Sequence, residues 1–145
     1  MSYLLDTNII SELMKPSPHQ LVLRWVDVQA TEALCLSAIT IGALLRGVAK
    51  LPGGAKRDMT HAIIVDSLVP QFMTRIIPLD AAIMGTWATL TTACEQRGRM
   101  LPAIDSFIAA TAAHHQLTLV TRNTRDFDAA GIPLLNPWEQ PASMG

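Results

Sequence analysis

The sequence is short of the features that mark secreted, membrane-spanning or broadly polyanion-binding chains. It has two cysteines, Cys35 and Cys94, both in apolar surroundings and without metal-ligand spacing. Neither a disulfide framework nor a thiolate metal site is expected, and both read as reduced packing residues. Charge of one sign is not in excess: the formal net charge is -1. No global attraction therefore draws the chain to a polyanion, and such a partner must be held by a local patch or by metal. The N-terminal residues lack a basic segment followed by an apolar stretch, so no secretory signal is expected. The longest run free of Asp, Glu, Lys and Arg, Ser106 to Thr121, is too short to span a bilayer and contains His114, His115 and Gln116. Internal repeats, low-complexity tracts and linkers are also missing. What remains is a chain of 145 residues, 50% hydrophobic, which excludes disorder. It is expected to form one soluble, cytoplasmic domain over residues 1–145 with a proper core and no membrane association.

Short apolar runs alternate with stretches of helical period. Tyr3–Leu5, Ala33–Ser37, Arg75–Leu79, Leu117–Thr121 and Ile132–Leu135 read as strands, with Pro78 pushing the third toward an edge or a strand end. Helices are expected over Thr7–Met14, His19–Gln29, Ile39–Leu51, Lys56–Phe72, Ala81–Arg97, Pro102–Gln116 and Thr124–Ala130. Ile41, Leu44, Leu45 and Val48 mark the inner face of one of them. Pro70 is expected to bend or end the long fourth helix. Asp80 reads as a structural N-cap, and Gly98 and Gly131 as helix stops. The alternation predicts an α/β fold, a mostly parallel sheet with helices on both faces. Strand order does not follow from it.

Two acids stand out. Asp6 ends the first strand, where side chains of an open α/β sheet enter the ligand-binding crevice; capping of the next helix accounts for it about equally well. Asp105 lies in the first turn of its helix, and its neighbours at i+3, i+4 and i+7 are Ile108, Ala109 and Ala112. Its carboxylate borders the inward face. The helix dipole offers about 0.3–1 kcal/mol, while an uncompensated buried ion costs several. No Lys or Arg lies at helical contact spacing, so a cation shared with Asp6 would supply the counter-charge. A third cluster, Thr121 to Phe127, follows the fourth strand, and Asn123 and Asp126 there offer oxygen ligands to a hard cation. Capping explains that cluster equally well.

Leu5-Asp6-Thr7-Asn8-Ile9, Ser37-Ala38-Ile39-Thr40, Arg46-Gly47, Asp105 to Ala110, and Thr121 to Phe127 together resemble the PIN-domain ribonucleases. More narrowly, they are similar to the VapC-type toxins of bacterial toxin–antitoxin pairs, including the FitB-like branch. The ordered set carries the resemblance, which spans nearly the whole chain. It implies a Mg²⁺- or Mn²⁺-dependent endonuclease acting on RNA, inhibited by a cognate antitoxin protein and commonly homodimeric. It assigns metal binding to Asp6 and Asp105, with a fourth polar position at Asn123 or Asp126.

One departure matters: the family pattern has a glutamate at the position of Ala43. Either this branch dispenses with that carboxylate or the chain was altered to disarm it; the undamaged surrounding motif favours alteration. Loss of a general base costs about 10²–10⁴-fold, so the chain is expected to fold normally and cleave RNA poorly or not at all. Arg46 and Lys50 on one side, and Arg122 and Arg125 on the other, are candidates for gripping flanking phosphates, although an ordinary solvated face explains each alone. Trp25, Trp87 and Trp138 read as packing or interface residues, and His61, His114 and His115 as structural. Two other readings compete. A phosphotransferase using Asp6 as nucleophile would follow the haloacid-dehalogenase pattern, which wants a second Asp where Asn8 stands. A non-catalytic binding module on the same fold draws its support from Ala43.

Overall fold

A computed structural model describes residues 2–139. Five strands, β1 (Tyr3–Leu5), β2 (Leu34–Ser37), β3 (Ile76–Ile77), β4 (Thr118–Val120) and β5 (Leu134–Leu135), form one sheet in the order β3-β2-β1-β4-β5. Every neighbouring pair is parallel, with Leu4 opposite Cys35 and Leu5 opposite Val120. Parallel strands need crossover connections, and helices supply them. They are α1 (Thr7–Leu13), α2 (Gln20–Asp27), α3 (Ala38–Ala49), α4 (Ala55–Ala62), α5 (Ala81–Gln96), α6 (Ala103–His114) and α7 (Thr124–Phe127).

The central strands are apolar along their length because both faces are covered. Alternate side chains divide between two cores. Leu5, Leu34, Leu36 and Val120 meet Ile9, Ile10, Leu44 and Val48 on one face. On the other, Leu4 and Leu119 meet Ile108, Ala109, Ala112 and Phe127. The inward neighbours expected for Asp105 are thus buried as read.

Local expectations hold at the caps. Asp80 Oδ1 accepts the Ile83 N–H at 2.9 Å, and Gly98 and Gly131 take positive φ beyond their helices. Both cysteines are free. The fourth helix ends at Gln71, one residue past Pro70, as expected near that proline. Not foreseen is how it gets there: α4 runs into a π-helical stretch, Ile63–Leu68, before a last turn, Val69–Gln71. A proline inside a helix lacks a donor and crowds the carbonyl four residues back, and the wider π turn upstream relieves both. The third strand keeps only Ile76 and Ile77; Pro78 lies just beyond it at the sheet edge, as a residue without an N–H must. Among the described residues no helix is long and apolar enough to cross a membrane.

In this strand order the chain winds outward from β1 in one direction through β2 and β3, and in the other through β4 and β5. The reversal falls between β1 and β4, and ligand crevices open outside the carboxyl ends of strands at such a point. Asp6 and Thr121 are the first residues past those two ends.

Candidate metal centre

Asp6 is 5% exposed and both its oxygens are engaged. Oδ1 accepts the Thr7 N–H at 2.8 Å, which caps α1, and Oδ2 accepts the Thr121 hydroxyl at 2.8 Å. Capping and cleft-lining are therefore one arrangement rather than rivals. Thr121, fully buried, also accepts from Asn8 Nδ2 at 3.3 Å and from the Asn123 N–H at 3.0 Å. With two acceptor sites filled, its single proton is committed to Asp6. Sequence reading missed this role for Thr121 and Asn8. It becomes visible only once Leu5 is known to pair with Val120, which sets Asp6 beside Thr121.

Asp105, on the first turn of α6, lines the same cleft as Asp6, a cavity of about 470 Å³ that also takes in Ala43, Asn123, Arg122 and Trp138. Burial pushes the Asp105 carboxyl up to about 6, and the charges of Asp6 and Asp126 add to it. Burial likewise raises Asp6, against the lowering effect of its hydrogen bonds to Thr121 and Thr7, and Asp126 raises it further. The acids are thus near enough to repel one another. The ion pairs found among the described residues are Lys15–Glu12 and Arg99–Asp128, so neither Asp6 nor Asp105 has a cationic partner there.

The other candidates divide. Asn123 lines the cleft, whereas Asp126 is exposed and outside the lining, reaching the other acids only through its field. Arg122 lines the cleft. Arg46, Lys50 and Arg125 are exposed and do not. Ala43 on α3 faces the cleft, so a longer side chain there would point among the acids. Glu12 and Lys15, also in the lining, were not foreseen. Glu12 gives one oxygen to Lys15 Nζ at 3.0 Å and the other to the His19 N–H at 2.9 Å. Those bonds hold its carboxyl below the ordinary value and leave it a poor stand-in for the missing glutamate. His114 is paired with Thr86, away from the cleft.

Among the described residues no three His, Cys, Asp or Glu side chains gather closely enough to hold an ion by themselves. The donor set still fits a hard, small cation. Mg²⁺ is usually bound by one or two carboxylates with several retained waters, and Asp6 and Asp105 are two unneutralised carboxylates on one cleft.

A parallel α/β sheet with acids at its switch point defines a class, and the family model described as PIN domain matches residues 3–133. The chain belongs to the PIN-domain family. Within it, the chain stands in the FitB/VapC branch. It is 41% identical to Toxin FitB of Neisseria gonorrhoeae over 135 residues, 93% of this chain and 97% of that one. It is 39% identical to VapC ribonuclease Y4jK of Sinorhizobium fredii, over 93% of this chain and 96% of that one. The crystal structure of FitAcB from Neisseria gonorrhoeae superposes with a TM-score of 0.89 at 40% identity, over 95% of this chain and 99% of that chain.

Proposed function

We propose that the chain is the toxin of a toxin–antitoxin pair, a single PIN-like domain over residues 1–145 acting in the cytoplasm as a Mg²⁺- or Mn²⁺-dependent endoribonuclease. The observation that carries the metal is the pair Asp6 and Asp105, which line one cleft and repel with no ion-pair partner for either among the described residues. The relatives' names supply the substrate: several are ribonucleases, and one is a tRNA(fMet)-specific endonuclease of Shigella flexneri. A bound divalent ion would lower the pKa of its water and offset charge developing on the phosphate.

Each residue of this chain then has a task. Asp6 and Asp105 hold the cation, with Asn123 or Asp126 completing the set. Thr121 fixes the Asp6 carboxylate in one orientation and keeps a proton directed at Oδ2. Arg122, which lines the cleft, is placed to contact the RNA. Arg46, Lys50 and Arg125, outside the lining, serve at most as more distant phosphate contacts. A cognate antitoxin is the expected partner, since FitAB and VapBC complexes, some bound to DNA, are among the structural neighbours. The chain is proposed to act as a homodimer.

Ala43 makes this chain a weak catalyst on the same reading. Restoring Ala43→Glu and assaying cleavage of single-stranded RNA with Mg²⁺ or Mn²⁺ should raise the rate by about 10²–10⁴-fold, the usual contribution of a positioned base. No gain would favour the second reading, a PIN-fold binding module without catalysis, for which Ala43 and the lack of a three-acid cluster among the described residues speak.

A further inference from the structure

The carboxyl edge of the sheet holds a second structure that the metal chemistry does not require. The Arg122 guanidinium carbon lies 5.1 Å from the centre of the Trp138 ring. Both residues line the acid cleft. Trp138 is half-buried, packed on one side against the core, while Arg122 is exposed. The pair is tied down at the backbone. The Arg122 N–H donates to Asn8 Oδ1 at 3.3 Å, and its carbonyl accepts from Asn136 Nδ2 at 3.4 Å. The Asn136 oxygen in turn accepts the Trp138 N–H at 2.9 Å. Asn8 also donates to Thr121, which donates to Asp6. An unbroken series of hydrogen bonds therefore sets the position of a cation–aromatic stack relative to the first acid of the cleft.

Shielding a tryptophan needs no such registration; a mobile Arg side chain would do it. Planar groups held in fixed relation to a reactive centre serve to place another planar group. A guanidinium stacks on aromatic faces, and Arg122 sits over the Trp138 ring while remaining exposed to the cleft. Ile104 adds to the case. It is 43% exposed, lines the same cleft, and neighbours Asp105. An apolar side chain left open beside repelling carboxylates has no use for a hydrated ion, but it suits the edge or face of a base.

We infer that Arg122 and Trp138 form a stacking subsite for one unpaired nucleobase next to the acid pair Asp6 and Asp105, where a bound cation would receive the scissile phosphate. This rests on the nuclease reading and adds to it a substrate feature, a base free to leave its own stack. Single-stranded nucleic acid is commonly held this way, on aromatic and guanidinium planes, with little demand on which base is present. The fixed geometry lowers the ordering cost of binding.

The test uses the chain as it stands, with Ca²⁺ present and the strand checked intact afterwards, so that equilibrium binding is read. A short fluorescent single-stranded oligoribonucleotide is compared with the same strand carrying one abasic ribose at its centre. Wild type should bind the complete strand about 5- to 150-fold more tightly, the range for one stacked base. Trp138→Ala and Arg122→Lys should each lose most of that preference by weakening the complete strand and leaving the abasic one nearly unchanged. Trp138→Phe should keep most of it. Arg122→Lys carries the decision if Trp138→Ala unfolds, because Lys keeps the charge and removes only the plane. Equal losses on both strands, or none, overturn the inference and leave the nuclease reading standing. Failure of wild type to bind either strand overturns both. If Trp138→Ala weakens a protein antitoxin and leaves both strands untouched, the surface serves protein recognition and the inference falls.

Discussion

Replacing Asp105 with asparagine should make the metal-free protein more stable at neutral pH, although it removes a residue assigned to the metal. The carboxyl of Asp105 is pushed up to about 6 from an ordinary 3.8, first by burial and then by Asp6 and Asp126. Between those two values the folded chain keeps a proton that the unfolded chain has released. Stability from this group therefore falls as pH rises through that window, and the loss is complete above about 6. A shift of this size corresponds to about 3 kcal/mol in full. Asp105 is only half-buried, and solvent screening brings the realistic figure to about 1 kcal/mol. In a domain of this length that is about 2–4 °C in melting temperature.

The assay is urea denaturation in a chelator at several pH values from 4 to 7. Asp105→Asn should be about 1 kcal/mol more stable than wild type near pH 7 and nearly equal to it near pH 4. Its stability should also slope less with pH, the remaining slope coming from Asp6, which is raised in the same direction. Saturating Mn²⁺ should reverse the order. A ligand at a hundredfold its Kd adds about 2.7 kcal/mol to the state that binds it, and the variant should gain little. If Asp105→Asn is less stable than wild type without metal, or keeps the full slope, the acids do not repel as argued and the case for a cation weakens.

Thr121→Val, which keeps the shape and removes the hydroxyl, should cost about 1–3 kcal/mol in urea denaturation by leaving Asp6, Asn8 and the Asn123 N–H short of a partner, and Thr121→Ser should restore most of it. Asp80→Ala should cost about 1 kcal/mol through loss of the cap on α5 and leave RNA binding unchanged, since Asp80 is absent from the cleft lining. Ala43→Glu should bring cleavage that depends on Mg²⁺ or Mn²⁺ and disappears with Asp6→Asn, measured on a labelled single strand.

The alternation of strands and helices was legible because a strand buried on both faces can only be an apolar run, and the helices between keep their period. The order β3-β2-β1-β4-β5 was not, since it depends on which side of β1 each crossover lands. Asp105 was legible from its apolar neighbours, all of which prove buried. The role of Thr121 was hidden in the register of two strands more than a hundred residues apart. The helix end near Pro70 was legible from the proline rule, while the π stretch Ile63–Leu68 before it was not, since no local pattern marks it. Arg46 and Lys50 are one and two turns beyond Ala43, about 4.5 and 10 Å along the helix, and this carries them past the cleft that Ala43 faces. Trp138 was read as a packing residue, and it is one; its place in the cleft lining depends on a turn after β5 that no periodicity marks.

Position 43 is where fold and chemistry meet most directly. Thr40, one turn earlier on α3, is fully buried, and its hydroxyl has no partner among the described residues. An orphaned hydroxyl costs about 1–3 kcal/mol, and natural chains seldom keep one without use. Residues three apart on a helix are neighbours, so a glutamate at 43 is spaced to accept that proton while turning its other oxygen toward the cleft. The effect of Ala43→Glu on stability should therefore change sign with pH in the absence of metal. Near pH 4, with much of the new carboxyl protonated, the hydrogen bond should dominate and stabilise by about 1 kcal/mol. Near pH 7 a further negative charge beside Asp6 and Asp105 should outweigh it, until Mn²⁺ is added. An alanine that was merely a neutral surface choice would show no such reversal, because its replacement would add one charge and satisfy nothing.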